Sequence, residues 1–277
     1  MEVKISAAEV KKLRQATGAG MMDCKKALIE SEGDFEKAIE YLRKKGQKLS
    51  AKRADRDAKE GVVIAMVSED AKKGVIVKLS CETDFVAKNE DFVNLTKKLA
   101  DLALTEFPDN KADLLNKEFA GITVGEKITE QIGVIGEKLE LASYEHLSAE
   151  LVIPYIHMGY KAGVIVGFSK ANDSFVEAGK DVAMQIAAMR PIAVDKDGVD
   201  STVVEKEIEI GMEQARQEGK PEAMLERIAM GKLNKFYKEN TLLSQAFVKN
   251  NKQNIDQYLR SVDPDLTVTE FKHIELG

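Results

Sequence analysis

Thiols and imidazoles are scarce in this sequence: Cys24, Cys81, His146, His157 and His273 are all it has. They make no Cys-x-x-Cys pair and no zinc spacing. His-Glu-x-x-His, Gly-x-Ser-x-Gly and the phosphate-loop pattern ending in Gly-Lys-Ser/Thr are also absent, so the usual signatures of metalloproteases, serine hydrolases and nucleotide triphosphatases are missing. Cys81, Glu82 and His157 leave one enzymatic reading open, a thiol nucleophile with an acid and a base. Glu82 and Asp84 offer two carboxylates to a cation, but no further ligand stands near them in sequence. Three missing signatures shift the weight from catalysis to binding, with no cofactor and no metal expected.

The composition agrees. The chain has 277 residues, 44% hydrophobic and 32% charged, enough for about two domains and a core that needs no staples. Asp and Glu outnumber Lys and Arg by 47 to 41, a net charge of −6. That argues against a nucleic-acid binder, which is normally basic. No run approaches the roughly 20 apolar residues of a membrane span. Met1-Glu2-Val3-Lys4 lacks the apolar core of a signal peptide. Two isolated cysteines make no disulfide framework, so a reducing cytoplasm is the expected location.

The first fifty residues read as three short helices. Ser6 to Glu9 is a capping box, Val10 and Leu13 begin an apolar face, and Gly18-Ala19-Gly20 ends the helix. No strand precedes those glycines, so a turn fits them better than a phosphate loop. Cys24, Ala27 and Leu28 form the inner face of a second helix. Asp34 caps a third, with Phe35, Ala38, Ile39 and Leu42 on one stripe. Met21 and Met22 lie about 100° apart on a helix, so one should face outward, either as a contact for a partner or as a core edge. The cations from Arg43 to Lys59, with no interleaved aromatics, read as a solvated helix end and linker.

From Gly61 the period becomes that of strands. Val62–Val67 and Gly74–Leu79 make a hairpin, followed by a helix with Phe92, Leu95, Leu99 and Leu102 on one face. The plan recurs as Leu151–Ile156, Gly163–Phe168 and a helix carrying Val182, Ile186 and Met189. Gly74-Val75-Ile76-Val77 aligns with Gly163-Val164-Ile165-Val166, and Asn89 to Val93 with Asn172 to Val176. The offset is 89 residues at the strands and 83 at the helices, so the first copy carries six extra residues within Glu82–Lys88. The repeat itself does without them, which marks them as a candidate protrusion. The other reading tucks Phe85 or Val86 into the core. Ile128, Ile132 and Ile135, with Gly133 and Gly136, read as a helix end or a broken helix.

Beyond Pro191, Val204, Ile208, Met212 and Ala215 mark one helix, and Met224, Leu225, Ile228, Ala229 and Phe236 its return after Gly219-Lys220-Pro221. This antiparallel pair resembles a short coiled coil and offers a surface for dimerisation. Leu266–Ile274 reads as a closing strand. The fold class is α+β. Its expected parts are a bundle at 1–50, a linker at 51–60, a first core subdomain at 61–140, a second at 141–195 with 238–277, and an inserted helical hairpin at 196–237.

Two segments carry a resemblance. Leu13-Arg14-Gln15-Ala16-Thr17-Gly18-Ala19-Gly20-Met21-Met22-Asp23-Cys24-Lys25-Lys26-Ala27-Leu28 resembles the N-terminal signature of the bacterial translation elongation factor Ts family. Cys81-Glu82-Thr83-Asp84-Phe85-Val86-Ala87-Lys88 resembles its core signature. Order and spacing fit along essentially the whole chain. The resemblance implies a ubiquitin-associated-like bundle, two related core subdomains and an inserted hairpin. It also implies a guanine-nucleotide exchange factor that binds elongation factor Tu through its G domain and a neighbouring domain, without binding nucleotide itself. By the same resemblance Thr83, Asp84, Phe85 and Val86 form a wedge, with Asp84 and Phe85 disturbing the partner's Mg²⁺ and phosphate site. Arg14, Met21, Met22, Ile135, Gly136 and His157 are expected at the same interface. Two departures stand out. His157-Met158-Gly159-Tyr160-Lys161 has Lys161 where members usually have Arg, and Lys lacks the bidentate fork. The helix many members carry beyond the last strand is expected to be missing after Gly277.

Overall fold

A computed structural model describes residues 5–277; Met1–Lys4, read above as lacking a signal-peptide core, lies outside the described residues. The chain divides into two compact units. One holds the residues through Ile64, Val77–Glu145 and Glu275–Gly277; the other holds Ala65–Ile76 and His146–Ile274. Helices and strands are both extensive, and the fold class is α+β.

The first unit begins with α1 (Ala7–Thr17), α2 (Met21–Glu30) and α3 (Phe35–Arg53). The Ser6 hydroxyl accepts from the Glu9 amide at 3.2 Å while Glu9 takes the Ser6 amide at 2.7 Å, so the capping box forms as its spacing predicts. Gly18 ends α1 in the left-handed region at φ 73°, where glycine carries no side-chain penalty. Val10, Leu13, Cys24, Ala27, Leu28 and Ala38 close a small core. The third helix is not short: it continues to Arg53, beyond the boundary expected at residue 50. Its Gly46 sits against Gly133, where an added Cβ would meet the Thr129 carbonyl oxygen at 2.8 Å. Paired glycines thus let two helices touch backbone to backbone.

Strands β1 (Glu60–Val67), β2 (Lys73–Cys81) and β5 (Glu140–Ser148) form a sheet in the order β1-β2-β5. Between β2 and β5 come α4 (Asp84–Ala87), α5 (Glu90–Glu106), α6 (Lys111–Asn116), the short pair β3 (Glu118–Phe119) and β4 (Ile122–Thr123), and α7 (Val124–Ile135). Helix α7 is unbroken and contains Gly133. It ends at Gly136, φ 83°, with the Gly136 amide bonded back to Ile132, an αL cap. Its Val134 packs on the core of the three-helix bundle.

In the second unit, β6 (Leu151–His157) pairs antiparallel with β7 (Ala162–Phe168), with Ile153 opposite Val166 and His157 opposite Ala162. Every residue of β7 is buried, as befits a central strand. There follow α8 (Val176–Met189), α9 (Ser201–Gln217), α10 (Glu222–Asn240), β8 (Ala246–Phe247), β9 (Asn250–Asn254), α11 (Ile255–Val262) and β10 (Val268–Glu275). β10 lies on the other side of β7, giving the order β10-β7-β6. Phe168, Phe175, Val182, Ile186, Leu242, Ile255 and Leu259 belong to one core. Asn89 caps α5 by accepting from Asp91, whereas Asn172 caps a single 3-10 turn, Asp173–Phe175, that leads into α8. Helices α9 and α10 run antiparallel along a thin stripe of Gly211, Ala215, Leu225, Ala229 and Leu233.

Candidate partner-binding site

The stretch Glu82–Lys88, which holds the six residues that the second repeat lacks, contains α4, a single four-residue helical turn between the end of β2 and the start of α5. None of its residues is buried. Phe85 is 83% exposed, so it does not tuck into the core, and Val86 beside it in sequence is half-buried. A largely exposed phenylalanine on a hydrogen-bonded turn is the kind of apolar group that marks contact surfaces. The turn closes through the Ala87 amide to the Thr83 carbonyl at 3.2 Å and the Lys88 amide to the Asp84 carbonyl at 3.0 Å. Asp84 pairs with Lys88 at 2.7 Å. The hydrogen bond from Lys88 is the main cause holding the Asp84 carboxyl below its ordinary value. Both partners are solvated, so the pair adds little stability and Asp84 stays anionic and available.

The base of this turn is far less free. Glu137 accepts from the amides of Glu82 and Thr83 at 3.1 and 3.0 Å, and from the Thr83 hydroxyl at 2.6 Å. Glu82 accepts in turn from the Lys138 amide and Arg53 at 2.6 Å each, and from Arg56 at 3.0 Å. Partial burial alone would raise the Glu82 carboxyl, but those three donors outweigh it and bring it down to about 2. Arg53 and Arg56, read from sequence as solvated linker cations, are therefore partners of Glu82. Glu137 was missed altogether: its only local signal is an acid directly after Gly136, and its partners lie more than fifty residues away.

A cleft of about 720 Å³ runs beside the turn, lined by Gln15, Ala16, Thr17 and Gly18, by Val86, Asn89 and Phe92, and by Lys127, Val134 and Ile135 among others. It joins part of the N-terminal signature to the core signature and to the end of α7. Arg14 is exposed on α1, one residue from this lining. Met21 and Met22 are 47% and 76% exposed. The outward contact expected of one of them is thus met by both, because α2 starts at Met21 and buries its face only from Cys24. Gly136 sits half-buried at the end of α7 with open space around its α-carbon.

His157 belongs to the second unit, at the end of β6. Its Nδ1 lies 2.9 Å from the Tyr155 hydroxyl, and its carbonyl accepts from the Lys161 amide at 3.2 Å. The tight turn after it places Gly159 and Tyr160 at φ 66° and 65°. This leaves Met158 75% exposed at the tip and Lys161 exposed beside it.

Little here suits bond-making chemistry. Cys81 is buried and donates to the Thr83 carbonyl at 3.2 Å. Burial, reinforced by the charge of Glu137, pushes its thiol up to about 12, the wrong direction for a nucleophile. Glu82 is occupied by two guanidinium groups. Among the described residues no cluster of three or more His, Cys, Asp or Glu could hold a metal ion, and no helix is long and apolar enough to cross a membrane.

Comparison with known proteins gives a single answer. The family model described as elongation factor TS matches residues 82–277. Elongation factor Ts of Christiangramia forsetii is 54% identical, covering 99% of this chain and 99% of its own. That of Amoebophilus asiaticus is 55% identical over the same shares. That of Chloroherpeton thalassium is 43% identical over 96% of this chain and 94% of its own. With an exposed phenylalanine on an inserted turn and full-length similarity of this extent, the chain belongs to the elongation factor Ts family.

Proposed function

We propose that this protein is a guanine-nucleotide exchange factor for elongation factor Tu in translation elongation. On this reading Asp84 and Phe85 wedge into the partner's G domain beside its Mg²⁺ and phosphate site. Thr83 and Val86 hold the wedge from below. Arg14, Met21 and Met22 on the ubiquitin-associated-like bundle, Ile135-Gly136 at the end of α7, and His157 in the second core subdomain complete the contact. The observation that carries the reading is Phe85, large, apolar and almost fully in water on a turn whose base is hydrogen-bonded in place.

The physics is linkage. A factor that binds the nucleotide-free partner more tightly than the GDP-bound one must weaken GDP by the same ratio. A thousandfold weakening asks for about 4 kcal/mol of differential binding. An aromatic anchor buried on docking, together with an anionic Asp84 set against the partner's Mg²⁺ ligands, is of the right size to supply it. No bond is made or broken, so no catalytic motif is needed. The test is affinity: by calorimetry, the chain should bind nucleotide-free elongation factor Tu at least a hundredfold more tightly than the GDP complex. Equal affinities would rule out exchange by this route.

A further inference from the structure

We propose that Glu137 is a positioning residue for the Asp84-Phe85 turn, strapping Glu82 and Thr83 to the end of α7 so that the two segments act as one rigid wedge. The inference rests on the reading of Phe85 as the inserted anchor. It starts from a reciprocal exchange. The Glu137 carboxylate takes the amides of Glu82 and Thr83 and the Thr83 hydroxyl, while the Glu82 carboxylate takes the Lys138 amide at 2.6 Å. Each strand of backbone thus lends its amides to the other's side chain. These bonds involve ionised acceptors and are partly shielded from water, the strong class of hydrogen bond.

The strap sits at the hinge that α4 needs. A four-residue turn has too few internal hydrogen bonds to hold itself, and its aromatic gains nothing from its own protein. Left loose, Phe85 would lose much of its binding energy to ordering on docking; fixed in advance, it would not. The same carboxylate follows Gly136 directly, so Ile135-Gly136 and Thr83–Val86 are held in one register.

Four proteins test this: wild type, Glu137→Ala, Phe85→Ala and the double variant, with Glu137→Gln as an isosteric reserve if Glu137→Ala melts early. Amide hydrogen exchange on the free protein should show Glu82 and Thr83 losing protection in Glu137→Ala while the amides of β2 keep theirs. GDP release from cognate elongation factor Tu should slow about tenfold in Glu137→Ala, a coupling of the size found within one hydrogen-bond network. In the Phe85→Ala background the same change should alter release less than twofold, because a residue acting through Phe85 has nothing left to position. Equal losses in both backgrounds, or unchanged release in Glu137→Ala, would overturn the proposal. Wild-type release by Phe85→Ala would instead overturn the anchor reading, and unchanged protection at Glu82 and Thr83 would still refute the strap on its own.

Discussion

Replacing Phe85 by alanine separates folding from function. Phe85 is 83% exposed and packs on nothing that the fold needs, so the change should move thermal stability by no more than about 0.5 kcal/mol. Its effect on a partner should be much larger. An aromatic side chain presents on the order of 200 Å², most of it in water here. At about 25 cal/mol per Å² its burial is worth up to about 4 kcal/mol, and truncations of anchoring aromatics run at about 2–4 kcal/mol. Taking about 2.5 kcal/mol, the affinity for nucleotide-free elongation factor Tu should fall roughly seventyfold. The assay is stopped-flow release of a fluorescent GDP, with a melting curve as control. The expected result is an unchanged melt with release slowed by one to two orders of magnitude. Unchanged release would refute the anchor argument; a collapsed melt would show that Phe85 supports the fold after all.

Other consequences follow from the same geometry. Glu82 is depressed from 4.5 to about 2 in the folded state, so its contribution is present above pH 4.5 and is lost as pH falls toward 2. Wild type should therefore lose on the order of 2 kcal/mol more than Glu82→Gln across that window in urea titrations, after allowing for solvent at the exposed Arg56; parallel pH profiles would contradict this. Gly133→Ala places a Cβ 2.9 Å from the Gly46 α-carbon. Overpacking of about 3 kcal/mol should outweigh the roughly 1 kcal/mol gained in helix propensity, so the melting temperature should drop; a rise would mean that the α3–α7 crossing opens freely. Cys24 and Cys81 are both buried, with thiols raised first by desolvation. Neither should react with iodoacetamide at pH 7.5 until denaturant is added, and fast labelling of the native protein would contradict their burial.

Local signals were legible in the sequence wherever a short stretch decides its own structure. The Ser6–Glu9 capping box, the Asp34 cap and the glycine end of α1 at Gly18 all form where spacing predicts, and of the two readings left open for the segment ending at Gly136, the helix end is the one that forms. The six-residue excess within Glu82–Lys88 pointed to α4, although the offset could not tell a protruding Phe85 from a buried one. Burial of a side chain is decided by what packs on it, and nothing in the turn says so. Helical phase required one of Met21 and Met22 to face outward but could not show that both do, since α2 begins at Met21 and its buried face begins only at Cys24. The Gly46–Gly133 crossing and the Glu137 strap were invisible for a related reason. They join residues more than fifty positions apart, and neither leaves a periodic mark in its own segment. Arg53 and Arg56 looked like solvated cations because their partner, Glu82, lies beyond a whole hairpin.

The central claim is that this chain loosens GDP from elongation factor Tu by binding alone. The most direct measurement is the rate of GDP dissociation from the cognate factor as the concentration of this protein rises. A large acceleration that saturates, with no nucleotide hydrolysed, is the predicted result. A dissociation rate that stays at its spontaneous value while the two proteins form a complex would contradict the account.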